Sequence, residues 1–187
     1  MYIGSTGPKG LHHLCFEILD NAIDEAMAGH ASNVRVELHR DGSCLVLDNG
    51  RGIPCEEHPQ TGRSALETVL CVLHAGGKFG GADSGYQVSG GLHGVGMSVV
   101  NALSDALEVE VVREGFVSRM TFAKGEPQGL LVSRPAPVTT NSGTAVRFTP
   151  DASIFSVTTF EYDVLAARMD ELAFFAECDT CPPKFSV

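Results

Sequence analysis

Glu17 and Asn21 stand four residues apart in the run Glu17-Ile18-Leu19-Asp20-Asn21-Ala22-Ile23-Asp24-Glu25-Ala26. On a helix that spacing brings both side chains onto one face. A carboxylate beside a carboxamide oxygen suits one magnesium ion and one activated water. Magnesium takes hard oxygen ligands but keeps several waters, so one protein ligand can suffice. Asn21 would be that ligand, and Glu17 a general base aligning water on a terminal phosphate. Taken alone, the stripe is better accounted for as the solvated face of an amphipathic helix.

Asp48 opens a second constellation, Asp48-Asn49-Gly50-Arg51-Gly52-Ile53-Pro54. A carboxylate there can accept from an exocyclic amine, while Gly50 and Gly52 let a flat ring approach the backbone. Ile53 and Pro54 could supply an apolar wall for that ring. The competing account is an Asx turn, with Asp48 serving only its own loop. A third piece, Gly90-Gly91-Leu92-His93-Gly94-Val95-Gly96, runs into a helix. Free N–H groups and the positive helix end make a phosphate site there. The chain has no Walker A lysine, and the glycine order is not the dinucleotide fingerprint. Each piece is modest alone. In this order, with Gly143-Thr144 on a late strand, they describe an ATP site.

Those residues need elements to hold them. From His12 to Ala28 the chain reads as a helix with Cys15, Ile18, Leu19, Ala22, Ile23 and Ala26 on one side. Glu17, Asp20, Asn21, Asp24 and Glu25 fall on the other, and Gly29 ends the helix. Val34 to Leu38 and Cys44 to Leu47 read as a hairpin turning at Asp41-Gly42. Ser64 caps a second helix to His74, with Glu67 at the capping-box position. Nine glycines between Gly76 and Gly96, of 21 in the chain, predict a mobile loop leading into a helix over Val95 to Leu103. Strands are expected at Leu107 to Arg113, Phe116 to Phe122, Leu130 to Ser133 and Thr144 to Phe148. A last helix covers Phe160 to Phe175. The pattern is α+β: a two-layer sandwich of a mainly antiparallel mixed sheet with helices on one face.

Composition narrows the class further. The 187 residues, 43% hydrophobic and 19% charged, suit a globular domain with a real core. A net charge of −10 repels phosphate backbones, so this chain alone should not grip DNA strongly. The apolar runs are far too short to span a membrane, and no secretory signal is visible. The six cysteines lack a disulfide framework, and Cys178 and Cys181 form a lone CxxC without partners for zinc.

The quoted motifs, with Leu73-His74-Ala75-Gly76-Gly77-Lys78-Phe79 and Ser89 to Leu103, resemble the ATPase domains of gyrase-type topoisomerase B subunits. These belong to a wider family shared with Hsp90, MutL and histidine kinases. The likeness runs from Met1-Tyr2-Ile3-Gly4 to about Phe175, so residues 1–176 are expected to form the ATPase unit. It implies a left-handed βαβ ATP fold of the Bergerat type, with ATP and magnesium as cofactors. Glu17 would be the catalytic base and Asn21 the magnesium ligand. Asp48 would bind the adenine amine, with Thr144 on the same network. Glu25, Arg51, Gly52, Ile53 and Pro54 would complete the nucleotide pocket. Gly77, Lys78, Tyr86, Leu92, His93, Gly94, Val95 and Gly96 would form the lid and phosphate contacts. Arg113 and Arg51 would lie where aminocoumarin inhibitors bind.

Such a domain serves DNA supercoiling in an enzyme completed by an A subunit, with two copies dimerising on ATP. The family's segment before Met1 and the transducer and cleavage domains after the ATPase unit are expected to be absent. The fragment would then bind ATP as a monomer and hydrolyse it slowly. Gly80 to Gly85 reads as a longer, looser lid, and residues 177–187 are left unassigned. The compartment would be bacterial cytoplasm, or a plastid or mitochondrion for an organellar homologue. Two other readings are kept: a non-catalytic nucleotide-gated interaction module, and the topoisomerase IV counterpart.

Overall fold

Pro8 begins the first helix, α1 (Pro8–Met27), with its fixed φ preorganised for the first turn and no lost donor. The computed structural model describes residues 3–57, 62–73, 96–175 and 184–186. The helix therefore starts four residues before the expected His12. Pro8 and Gly10 look like breakers in sequence, yet Pro8 is at a helix start. Gly10 lies so close to the Ser5 carbonyl that a Cβ would overlap it. The apolar stripe from Cys15 to Ala26 is buried as expected. The opposite stripe is not freely solvated: Glu17, Asp20, Asn21, Asp24 and Glu25 are all half-buried.

Two strands follow, β1 (Asn33–Leu38) and β2 (Cys44–Asp48), paired antiparallel with Val34 opposite Asp48. Their turn is the expected one: Gly42 has φ +83°, and Ser43 N–H donates to Asp41 Oδ1 at 3.0 Å. Helix α2 (Ala65–Cys71) is capped by Ser64, whose hydroxyl accepts from Glu67 N at 3.1 Å. Helix α3 (Gly96–Ala102) leads into β3 (Ser104–Arg113), β4 (Phe116–Ala123) and the short β5 (Glu126–Pro127). Glu114-Gly115 and Lys124-Gly125 both have positive φ, the type of turn that matches strand twist. Neither Glu114 nor Lys124 is a residue type that favours positive φ; the glycine after each completes the turn.

The strand expected at Leu130 to Ser133 is instead β6 (Val132–Pro135), an exposed edge strand paired to β4. It is followed by β7 (Gly143–Pro150) and α4 (Tyr162–Phe175). Among the described residues the strands form one eight-stranded sheet ordered β5-β4-β3-β7-β2-β1, with β6 beside β5 on β4 and β8 (Lys184–Ser186) outside β1. The β1–β8 pair is parallel and the rest antiparallel, so part of the unassigned tail joins the sheet.

One sheet face is buried through Val34, Val36, Val46, Leu107, Val109, Val111, Phe122, Val146 and Phe148. The helices cover that face, which is the two-layer α+β arrangement expected. His12 ties the first and last helices to each other. Its Nδ1 donates to Pro8 O at 2.7 Å, and its Nε2 accepts from Glu161 N at 2.9 Å. No helix among the described residues is long and apolar enough to cross a membrane.

Candidate nucleotide site

A cleft opens between α1 and the sheet, lined by Ile18, Asn21, Ala22 and Glu25 from the helix. These lie at i, i+3, i+4 and i+7, one stripe down one helix face. The sheet contributes Val46 and Asp48 from β2 and Thr144 and Val146 from β7; Ile53 and Met97 close the rest. Polar groups therefore converge on an apolar floor, the usual make-up of a small-molecule site. Asn21, Glu25, Asp48, Ile53 and Thr144 were expected here. Ile18, Ala22, Val46, Met97 and Val146 were missed, because apolar periodicity marks core and ligand floor alike.

Asp48 ends β2 directly opposite Thr144 on β7. Its Oδ1 accepts from Gly50 N at 2.8 Å, and the Thr144 backbone amide also donates to the carboxylate. The Asx turn is thus real, but the residue also faces the cleft. Burial pushes its pKa up to about 6 and nearby Glu25 adds to the rise, while the Gly50 and Thr144 amides oppose it. A carboxylate kept in that condition is typical of a working site.

Glu25 is committed to Arg51. Arg51 Nη2 lies 2.6 Å from Glu25 Oε1, and its Nε and backbone N–H each donate to Oε2 at 3.1 Å. Burial alone would raise the Glu25 pKa, but those hydrogen bonds and the guanidinium charge outweigh it and hold the group low. Gly50 fits between the two acids: a Cβ there would lie 2.9 Å from both Asp48 Oδ1 and Glu25 Oε2. Gly52, at φ +80°, lies against β3, where a Cβ would sit 2.8 Å from Val112 O. Arg113 Nη1 donates to Gly52 O at 3.0 Å, clamping the same loop. Arg51 and Arg113 thus tie the loop that carries Gly52 and Pro54 to α1 and β3.

On α1, Asn21 Nδ2 donates to Glu17 O at 2.9 Å. That leaves Oδ1, a hard oxygen of the kind magnesium takes. Among the described residues no group of three or more His, Cys, Asp or Glu side chains is placed to hold a metal. Gly96, the first residue of α3, packs against Glu17 so tightly that a Cβ would overlap the carboxylate. The cradle and the donor set fit a magnesium–triphosphate group. Gly77, Lys78, Tyr86, Leu92, His93, Gly94 and Val95 lie outside the described residues.

Comparison with known proteins agrees with this geometry. The mitochondrial DNA gyrase B subunit of Arabidopsis thaliana is 59% identical over 177 residues, 93% of this chain and 24% of that protein. The DNA gyrase B subunit of Synechocystis sp. is 58% identical over 175 residues, 93% of this chain and 16% of its own length. The chain therefore spans about a quarter or less of these relatives. Its fold is similar to the crystal structure of the 43K ATPase domain of Thermus thermophilus gyrase B in complex with an aminocoumarin. The TM-score is 0.81 at 43% identity, covering 94% of this chain and 43% of that one. Residues 6–154 match the model of the histidine kinase-, DNA gyrase B- and HSP90-like ATPase family, and the chain belongs to that family.

Proposed function

We propose that this chain is the ATP-binding and ATP-hydrolysing unit of a gyrase B-type, type II topoisomerase. The observation that carries the reading is that Asp48 and Asn21 line one cleft, which places an amine acceptor and a hard oxygen in the same site. Asp48 accepts the exocyclic amine of adenine, with Thr144 beside it. Ile53 and the apolar floor hold the base. Asn21 Oδ1 would hold the magnesium ion, which when bound neutralises phosphate charge. Glu17, next to the first residue of α3, takes the proton from the attacking water at its carboxylate. Lys78 and the loop from Leu92 to Gly96 complete the phosphate site in this reading.

Residues 1–176 would be the ATPase unit. In the whole enzyme, partners would be an A subunit and DNA, and two copies would dimerise on ATP. The chain by itself would stay monomeric and turn over slowly. Aminocoumarin-type inhibitors would bind near Arg51 and Arg113. The relatives, one mitochondrial and one from Synechocystis, support either an organellar or a bacterial setting.

Glu17→Ala, placed in a gyrase B-type protein carrying this domain, tests the assignment. Turnover in a phosphate-release assay should fall roughly 100-fold or more, as for loss of a general base, with ATP binding retained. Unchanged turnover would remove Glu17 from catalysis. Absence of turnover in the parent protein would favour a nucleotide-gated module.

A further inference from the structure

Asn49 takes no part in the chemistry above, yet its side chain is fully engaged. Oδ1 accepts from the backbone N–H groups of Ser32 and Asn33, each at 2.8 Å. Nδ2 donates to Ser32 Oγ at 3.0 Å, and the Asn49 N–H donates to Asn33 O at 3.2 Å. The regular β1–β2 ladder ends one residue earlier, at Val34 opposite Asp48. Beyond it the carboxamide stands in for a partner strand, so the backbone can leave the sheet while staying tied to β1.

The next residues along the chain give that anchor its meaning. Gly50 N–H donates to Asp48 Oδ1 at 2.8 Å. The amide after it, Arg51 N–H, donates to Glu25 Oε2 at 3.1 Å. Two successive amides thus aim at the two acids of the cleft, and the residue before them is the fixed point. Gly143 closes the far side, where a Cβ would lie 3.1 Å from Asn49 Cα.

We infer that Asn49 is a positioning residue for base recognition: its carboxamide fixes the turn whose Gly50 amide holds the Asp48 carboxylate toward an exocyclic amine. This rests on the reading of Asp48 as the amine acceptor. A side chain one step from the reading group is enough, because recognition by a hydrogen bond depends on direction as well as distance.

The test compares Mg-ATP with Mg-ITP, whose base lacks the amine, binding to this chain by calorimetry. Wild type should prefer ATP. In Asn49→Ala that preference should fall by roughly tenfold, the scale of a displaced recognition group, with ITP affinity unchanged. The fold should survive, since Ser32 and Asn33 are exposed and water can replace the lost acceptor. Asn49→Asp, which keeps both acceptor bonds, should restore the preference. An unchanged ATP-to-ITP ratio in Asn49→Ala overturns the inference, as does equal weakening of both ligands or failure of Asn49→Asp to rescue. A wild type that does not distinguish the two nucleotides overturns the reading of Asp48 itself, and the role of Asn49 with it.

Discussion

Arg51 grips Glu25 through three of its own groups: Nη2 at 2.6 Å from Oε1, and Nε and the backbone N–H at 3.1 Å from Oε2. A side chain from the loop after β2 is thereby bolted to the last turns of α1. The two walls of the cleft meet at this pair.

Breaking that pair should be felt in both stability and pH response. Arg51→Ala leaves a largely buried carboxylate without its cation, at a cost of about 1–3 kcal/mol. In the wild type Glu25 titrates below its ordinary value, so it contributes stability above about pH 4.5 that is lost on acidification. The variant should lose that contribution, which urea melts between pH 3 and 7 would show as a flatter or inverted profile.

Asp48 has the opposite sign. Its folded-state pKa of about 6 lies above the ordinary 3.8, so between these values the folded chain holds a proton that the unfolded chain releases. Stability therefore falls as pH rises through that window and stays lower above it. Asp48→Asn should stabilise the unliganded domain at pH 7.5, by about 1–3 kcal/mol, while weakening ATP binding. A lower urea midpoint for the variant would contradict this.

The same titration governs binding. The ionised carboxylate is the better acceptor for an amine, so ATP affinity should drop as pH falls below about 6. In Asp48→Asn only the shallower dependence that phosphate protonation imposes on both proteins should remain over pH 5 to 7. Calorimetry on both proteins separates this effect from protonation of the phosphates, which both share.

Gly96→Ala tests the contact between α3 and the proposed base. The added methyl would overlap the Glu17 carboxylate, so one of them must move. Overpacking of this kind costs about 1–3 kcal/mol, and a displaced base should lower the hydrolysis rate about tenfold or more. Single-turnover kinetics with the enzyme in saturating excess over ATP would reveal it; an unchanged rate would mean that Glu17 tolerates the shift.

His12→Ala should loosen α4 from α1 without touching the cleft. It removes the acceptor for Glu161 N–H and the ring that meets Phe160 edge-on at 5.9 Å. A loss of about 1–3 kcal/mol is expected in thermal or urea melts, with nucleotide affinity retained.

Much of this was written locally. The Cys15 to Ala26 stripe, the Asp41-Gly42 turn and the Ser64 cap are decided by neighbours within four residues, so spacing and residue type were enough. That Asn21 and Asp48 line one cleft was legible for the same reason, since each belongs to a short motif. What failed were features whose local signal points the wrong way. Pro8 and Gly10 read as breakers, Lys124 does not announce a left-handed turn, and residues 184–186 carry no strand pattern strong enough to assign.

Tertiary structure alone decided which atoms meet. Sequence put Glu25 and Arg51 near a nucleotide, but only the packing of α1 on the sheet bonded them to each other. It made Gly50 a spacer between two acids, set Gly96 against Glu17 and turned Ile18, Ala22 and Val146 from core into floor. The physical reason is range. Periodicity and capping act over a few residues of chain, while desolvation and close contact depend on segments brought together from across it.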